Sequence, residues 1–275
     1  MKRVGLSLLE TGVCRHPEIA TIQGGSWRPA IFPSLVGVIT HPEEGTILFD
    51  TGYDSLFAEA TEAFPERMYR WLTPPAITSP VAATLEAKGI APSTIRHIVL
   101  SHFHGDHASG LRRFPNAKIH CARAGLRAVW QRGRLRALAA GTPAGLLPPD
   151  LPARCAFFED QTRLPLPADL APFETGADVL GDGSILAVPL PGHCAGHWGV
   201  LLNEARGLHF LVADAAWSSR AIRENRPPPR ITSALLGDTR SGRDTLAQLH
   251  ALRRRNAELI LTPSHCAERA ADIAP

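Results

Sequence analysis

Short apolar runs and stretches with helical periodicity alternate along the first half of the chain. Residues 34–50 predict a strand, a turn and a second strand, which ends at Asp50. Helical spacing follows at residues 55–71 and 80–89, and the short apolar run IRHIVL comes next. A further strand and a helical stretch extend the alternation to Gly141. This order of elements predicts an α/β architecture.

The alternation stops at residues 142–173, which are rich in Pro, Leu and Ala and show little periodicity. We interpret the chain as a single domain over residues 1–275, in which this segment is a long insertion or lid. A dimer surface and a disordered loop are the alternatives. Four large apolar side chains of the segment are candidates for the lining of an acyl pocket: Leu146, Leu147, Phe157 and Phe158.

Strand patterns resume beyond this segment and repeat a plan from the first half. Residues 199–214 contain an apolar strand, a turn with Glu and Gly, a second apolar strand and then Asp214, as residues 37–50 do with Asp50. An amphipathic helix and a last short apolar strand then lead to His265. The repeat predicts two sheets of similar plan, each with a carboxylate at the end of a strand.

Composition and charge exclude several classes of function. The formal net charge is +3, and the lysines, Lys2, Lys88 and Lys118, are scattered, so there is no basic stripe that would predict nucleic-acid binding. Apolar runs are shorter than a membrane span, and the one near the N-terminus is too short for a signal peptide. We therefore expect a cytoplasmic protein that binds neither nucleic acid nor a membrane. The five cysteines lack C-x-x-C spacing, which argues against a disulfide framework or a structural zinc site.

Three histidines and an aspartate crowd into one short loop after the strand IRHIVL. In HFHGDH, His102 and His104 are two residues apart and point the same way from an extended segment, while Asp106 and His107 turn toward a neighbouring point. Imidazole and carboxylate are common ligands of zinc and related ions. One loop of this kind can contribute to two adjacent metal ions, with further ligands supplied elsewhere in the chain.

Three more residues of the right type follow short apolar strands: His193 in PGHCAGH, Asp214 in ADAAW and His265 in PSHC. Each lies where a loop begins, so these are the candidates for the missing ligands. Cys194 and Cys266 each follow one of them. Because adjacent side chains on an extended loop point apart, we interpret both cysteines as buried small apolar residues.

Together these motifs resemble those of the metallo-β-lactamase-fold superfamily of hydrolases. The matching segments are DTG at residues 50–52, SHFHGDH, PGHCAGH, ADAAW and PSHC, in the family's order. With the preceding hairpin they extend over residues 35–265. The resemblance implies an αββα sandwich of two mixed β-sheets flanked by helices, with the metal ions at one edge of the sheets.

The resemblance also implies roles for individual residues. His102, His104 and His193 would bind a first metal, Asp106, His107 and His265 a second, and Asp214 would bridge the two. Asp50 would support the metal-binding loop without touching a metal, and His197 would lie near the site without being a ligand. The implied cofactors are two divalent metal ions, with Zn²⁺ preferred and Fe, Mn or Co as alternatives.

The implied reaction is a hydrolysis in which a hydroxide that bridges the metals attacks the substrate. The metals lower the pKa of the bridging water toward about 7. Asp106 and Asp214 are the catalytic carboxylates, and Asp106 carries a proton to the leaving group. Two divalent cations leave the site positively charged, which favours an acyl-bearing or anionic small molecule as substrate. A homodimer is compatible with the sequence.

Within the superfamily the chain most resembles acyl-homoserine lactonase-like proteins. Many of these have a tyrosine three positions after the bridging aspartate that hydrogen-bonds to the substrate carbonyl, whereas this chain has Trp217 there. Tyr53 is the nearest alternative hydroxyl in the sequence. We therefore predict hydrolysis of a lactone, ester or thioester, with Trp217 and Tyr53 as substrate contacts. A phosphotriesterase-type hydrolase, a mononuclear iron oxidoreductase acting on a thiol or persulfide, and a metal-binding regulator with vestigial activity are the alternatives.

Overall fold

The computed structural model describes residues 2–131 and 133–271, which form two β-sheets with helices around them. The strands are β1 Gly5–Pro17, β2 Pro29–His41, β3 Gly45–Phe49, β4 Pro75–Ile77, β5 His97–Val99, β6 Lys118–Cys121, β7 Cys155–Phe157, β8 Arg163–Pro165, β9 Thr175–Asp178, β10 Ile185–Pro189, β11 Trp198–Glu204, β12 Gly207–Ala213 and β13 Ile260–Pro263. The helices are α1 Ser55–Ala60, α2 Glu66–Leu72, α3 Val81–Ala87, α4 Gly105–Ala108, α5 Arg123–Trp130, α6 Arg134–Ala139, α7 Leu151–Arg154, α8 Ser219–Glu224, α9 Arg230–Leu236, α10 Thr239–Arg255 and α11 Ala267–Ala271. Among these described helices, none has the length and apolar character needed to cross a membrane.

Each half of the chain builds one mixed sheet. Within the described residues, the first sheet has the strand order β4-β1-β2-β3-β5-β6-β7 and the second has the order β13-β12-β11-β10-β9-β8. In the first, β1 and β2 pair antiparallel while β3 and β5 pair parallel. In the second, β10 and β11 pair antiparallel while β12 and β13 pair parallel. Two mixed sheets of similar plan were expected from the repeated hairpin, and the structure confirms them.

Side chains alternate between the two faces of each strand and so build three apolar layers. Ile39 of β2 and Val200 of β11 pack together in the layer between the sheets. Val36 faces the other way and packs with residues of α3 and α5, while Leu201 packs with residues of α8 and α10. The order is therefore helix, sheet, sheet, helix, which confirms the predicted αββα sandwich.

The segment 142–173 leads from the first sheet to the second. It supplies β7 to the edge of the first sheet and β8 to the edge of the second. Leu147 lies in the outer layer of the first sheet, Phe158 lies between the sheets, and Leu146 is fully buried beside Tyr53. These side chains belong to the packed interior, which differs from the predicted lining of an acyl pocket. The two strands are only three residues long, too short to show an alternating pattern in the sequence.

Parallel neighbours bring the functional motifs to one edge of the sandwich. Asp50 follows β3 and the HFHGDH loop follows β5, its parallel neighbour. Asp214 follows β12 and His265 follows β13, which are also parallel neighbours. The carboxyl ends of such strands share one edge of a sheet, where α/β proteins commonly bind ligands. His193 joins them from the loop between β10 and β11.

Candidate metal centre

Two hairpins each place a carboxylate at this edge. Asp50, directly after β3, has φ 64°, and Ala213, the last residue of β12 before Asp214, has φ 46°. Left-handed backbone is uncommon and costly for residues other than glycine, and it occurs most often at functional sites. In the first hairpin the left-handed residue carries the carboxylate itself, and in the second it comes one position before the carboxylate. In both hairpins the chain leaves the sheet here, and the carboxylate faces the neighbouring loops.

Asp50 is fully buried and uses both of its oxygens to hold the HFHGDH loop. Its Oδ1 accepts a hydrogen bond from the Ser101 backbone N–H at 2.7 Å, and its Oδ2 accepts one from the Ser101 hydroxyl at 2.7 Å. The same Oδ2 lies 2.8 Å from Nδ1 of His107. An Nδ1–H bond of this kind fixes the tautomer of the ring and leaves Nε2 free to bind a cation. These contacts match the supporting role expected for Asp50.

The loop that carries His193 is pressed against the start of α10. The backbone N–H of Asp238 donates to the carbonyl of Gly192 at 2.9 Å. A Cβ at Gly192, where φ is 130°, would clash with the backbone of Gly242, and a Cβ at Gly237 would clash with the carbonyl of His193. Only glycine permits backbones to approach so closely. The first turn of α10 therefore sets the position from which His193 enters the site.

Six side chains gather around the carboxylate of Asp214. Its Oδ2 lies 3.2 Å from Nε2 of His265 and 3.3 Å from Nε2 of His193, and its Oδ1 lies 3.3 Å from Nε2 of His107. The remaining contacts join Asp106 Oδ2 to His265 Nε2 at 3.2 Å, His104 Nδ1 to His193 Nε2 at 3.0 Å, and His102 Nε2 to Asp214 Oδ2 at 4.0 Å. The structure therefore brings together every residue that the sequence proposed as a metal ligand.

The cluster fits metal ions on the evidence of its own polar atoms. Within the described part of the chain, Nε2 of His102, Nε2 of His107 and Oδ1 of Asp214 are buried without a hydrogen-bond partner. Leaving one such atom unpaired costs about 1–3 kcal/mol. The cluster contains overlapping groups whose ligand atoms lie within 4.8 Å of one another: His102, His104 and His193 with Cys194; His102, His107 and Asp214; and Asp106, His107 and His265. Cations bound here would supply the missing partners.

Burial and neighbouring charge divide the histidines into two kinds. Burial lowers the pKa of His102 and His193 well below the usual value, so these rings are neutral, the form that binds metals. Burial also opposes the charge on His107, but Asp214 and Asp106 outweigh it and raise the pKa of His107 to about 10. The same two carboxylates raise the pKa of His265 well above its usual value. In the absence of a cation, protons on His107 and His265 balance the two carboxylates, and a bound cation would replace those protons.

His197 is buried and uses both of its ring nitrogens on the backbone. Its Nδ1 donates to the carbonyl of Leu190 at 2.9 Å, and its Nε2 accepts from the N–H of Asp214 at 3.0 Å. No ring nitrogen is left for a metal. His197 instead holds the residue that stands at the centre of the cluster, in keeping with the prediction that it lies near the site without being a ligand.

The two predicted substrate contacts lie in different surroundings. Trp217 is half-buried, its ring centroid 4.9 Å from that of His265 and 5.5 Å from that of Phe32. Tyr53 is only 2% exposed, and its ring packs edge-on against Phe57 at 5.3 Å. Trp217 is thus open to a bound molecule, whereas Tyr53 is packed behind the cluster.

Sequence reasoning missed residues that come close only through long-range packing. Burial and the charge of Asp106 raise the pKa of the Tyr69 hydroxyl on α2 and that of the Cys14 thiol on β1. Arg243 of α10 lines a pocket that also contains His193 and Asp214. No spacing rule links β1, α2 or α10 to the histidine motif. The sequence pattern therefore could not predict that these residues lie near the cluster.

The two cysteines that follow proposed ligands also differ. Cys266 is buried, and its Sγ accepts a hydrogen bond from the Ser219 N–H at 3.2 Å, which suits the interpretation as a small core residue. Cys194 is half-buried, and its Sγ lies within 4.8 Å of the ring nitrogens that His102, His104 and His193 offer. Cys194 is therefore not simply a small apolar residue, because its thiol lies close to the histidines of the cluster.

Comparison with known proteins agrees with this geometry. The family model of the metallo-beta-lactamase superfamily matches residues 30–265. A probable metallo-hydrolase from Mycobacterium tuberculosis, Rv2300c, is 28% identical over 83% of this chain and 73% of its own length. The N-acyl homoserine lactonase AttM from Azorhizobium caulinodans is 28% identical over 81% of this chain and 82% of its own length.

A solved structure shares the fold. It is that of an N-acyl homoserine lactone hydrolase with the product N-hexanoyl-L-homoserine bound at its catalytic metal center, with a TM-score of 0.73 and 19% identity over 98% of this chain and 97% of that one. The resemblance drawn from the motifs is thereby confirmed. With most of its length matched and its strand-end residues gathered at one edge, the chain belongs to the metallo-beta-lactamase superfamily.

Proposed function

We propose that this protein is a dinuclear, zinc-dependent hydrolase of lactones, esters or thioesters. The observation that carries the proposal is the position of Asp214, which lies between the two groups of ligands. Its Oδ2 is 3.3 Å from Nε2 of His193 and 3.2 Å from Nε2 of His265, and its Oδ1 is 3.3 Å from Nε2 of His107. A carboxylate in this position can serve two ions at once. The similarity to lactonase AttM supports the reaction class.

The residues divide into two ligand sets that share Asp214. One set is His102, His104 and His193, and the other is Asp106, His107 and His265. A pair of divalent ions held here would lower the pKa of water toward about 7 and polarise the substrate carbonyl. Asp50 and His197 would hold the ligands in place, because Asp50 bonds to His107 and His197 bonds to the backbone of Asp214.

Asp106 is the group best placed to move a proton. Its side chain is 14% exposed, whereas that of Asp214 is 2% exposed, so Asp106 can reach a substrate at the mouth of the site. Although burial opposes its charge, His107 and His265 hold the pKa of Asp106 below its usual range. The carboxylate is therefore ionised and can accept a proton from the attacking water and release it to the leaving alkoxide or thiolate.

Trp217 is the proposed contact with the substrate carbonyl. Its indole N–H is a donor, and its ring is half-buried beside His265. Donation to the carbonyl oxygen would orient the bond to be cleaved toward the cluster. Tyr53, the other residue predicted to contact the substrate, is covered by Phe57, so we assign the carbonyl contact to Trp217.

Metal analysis combined with a substrate panel tests the proposal. The purified protein should contain about two zinc ions per chain and should hydrolyse at least one class among lactones, thioesters, carboxyl esters and phosphotriesters. His104→Ala should lower both metal content and turnover. Metal-free protein, or turnover that His104→Ala leaves unchanged, would contradict it. Iron without a second metal, with oxygen consumption in the presence of a thiol, would favour an oxidoreductase instead.

A further inference from the structure

A pocket leads from the metal-ligand cluster toward α10. It is lined by His193 and Asp214 of the cluster, by Trp217, Thr232 and Ser233, and by Arg243 in the second turn of the helix. A molecule that fills this pocket would touch the cluster and the arginine at the same time. The pocket therefore combines a reaction centre with a separate recognition point.

Among the described residues, no side chain pairs with the Nε of Arg243. This nitrogen is buried, which is an unfavourable position for an unpaired charged donor. Asp238 lines the same pocket, but its carboxylate is used by the first turn of α10: it accepts from the N–H of Arg240 at 3.0 Å and from the hydroxyl of Ser241 at 2.5 Å. Other arginines of this chain have carboxylate partners, such as Arg134 with Glu66 at 2.6 Å.

We propose that Arg243 binds an anionic group of the substrate, a carboxylate or a phosphate, while the bond to be cleaved lies at the cluster. The planar guanidinium fork matches two oxygens of such a group, and the hydroxyls of Thr232 and Ser233 line the same wall. This inference rests on the proposed function and narrows it to esters, lactones or thioesters that carry a second, anionic group. A neutral acyl chain would leave the arginine unpaired.

A matched pair of chromogenic esters tests the inference. Mono-4-nitrophenyl succinate and 4-nitrophenyl butyrate differ mainly in a terminal carboxylate. The metal-loaded wild type should have the higher kcat/KM for the succinate ester. Arg243→Gln should lower that value by about 10- to 100-fold, since a charge-assisted hydrogen bond is lost, while the value for the butyrate ester changes less than about twofold. Arg243→Lys should retain part of the preference.

Arg240→Gln is the matched control. Arg240 is an exposed arginine of the same helix outside the pocket lining, so its loss removes the same charge without touching the site. It should leave both esters unaffected. An equal loss for the two esters in Arg243→Gln, or an equal loss of the preference in Arg240→Gln, overturns the inference.

A binding measurement separates failure of the inference from failure of the proposed function. Glutarate or inorganic phosphate should raise the thermal unfolding midpoint of the wild type, and Arg243→Gln should abolish the rise. The anion that raises the midpoint shows whether Arg243 binds a carboxylate or a phosphate. If the protein cleaves neither ester nor any substrate of the panel, the proposed function fails, and the midpoint shifts still decide whether Arg243 binds anions. Equal shifts in both proteins, or no shift in either, would count against the anion site.

Discussion

The two hairpins that end in aspartate show how one plan serves two purposes. In the first, the left-handed residue is Asp50 itself, and its carboxylate is saturated by Ser101 and His107. In the second, the left-handed residue is Ala213, one position earlier, and Asp214 keeps a buried oxygen without a hydrogen-bond partner in the described structure. Relative to the aspartate, the left-handed residue thus lies one position earlier in the second hairpin. This difference accompanies the change from a carboxylate that supports the loop to one that can bind a cation.

The same contrast continues three residues beyond each aspartate. Trp217 follows Asp214 and stands half-buried beside His265, whereas Tyr53 follows Asp50 and is packed against Phe57. The second hairpin therefore presents its carboxylate and its aromatic residue to a ligand. In the first hairpin the carboxylate of Asp50 and the ring of Tyr53 are both buried against other residues of the protein.

Substitution of the central carboxylate should have the largest effect. Asp214→Asn keeps the shape but removes the charge that faces His107, His193 and His265. We expect bound metal to fall and kcat/KM to drop more than about 100-fold, beyond the 10- to 100-fold typical of residues outside the ligand set. Metal analysis and steady-state kinetics measure both quantities. Unchanged metal content would show that Asp214 does not bind the ions.

Substitution of the supporting carboxylate should have a smaller effect of the same kind. Asp50→Asn disturbs the bonds to Ser101 and to Nδ1 of His107, and we expect metal affinity or kcat/KM to fall about 10- to 100-fold. Competition with a metal chelator measures the affinity. Asp178→Asn is a control, since this buried carboxylate accepts backbone hydrogen bonds from Gly181 and Gly183 away from the cluster. If Asp50→Asn lowered metal binding and kcat/KM as much as Asp214→Asn does, the two carboxylates would not differ in role as proposed.

The aromatic pair should give the smallest effects and the sharpest contrast. Trp217→Phe removes the indole N–H, and we expect kcat/KM to fall about tenfold with metal content unchanged, the value of one hydrogen bond. Tyr53→Phe removes a hydroxyl that is packed behind the cluster; it should change kcat/KM less than about threefold and leave metal content unchanged. A larger kinetic effect of Tyr53→Phe would place Tyr53 at the substrate.

The sequence was most informative where function depends on strand ends. His102, His193, Asp214 and His265 each follow a short apolar strand, and the rule that such ends share one edge depends only on local pattern and strand direction. The alternation of strands and helices predicted an α/β architecture, and the resemblance to the metallo-β-lactamase fold implied the αββα layers. These predictions needed no knowledge of side-chain packing.

Prediction failed where long-range packing decides. Arg243 lies fifty residues beyond His193 on an amphipathic helix, and nothing in that pattern distinguishes it from the arginines on the exposed face. The strands β7 and β8 are sheet edges of three residues each, stabilised by a neighbouring strand rather than by their own periodicity. Leu146 and Phe158 were assigned to a pocket because burial in a core and in a binding site favours the same apolar residues.

The glycine contacts between the His193 loop and α10 bear on how this protein can be diversified. Gly192 and Gly237 permit the close backbone contact that positions the loop, so a side chain at either of them displaces a proposed ligand. Thr232 and Ser233 line the adjoining pocket and are not part of that contact. Mutant libraries aimed at new substrates should therefore vary the two hydroxyl residues and keep the codons of Gly192 and Gly237 constant.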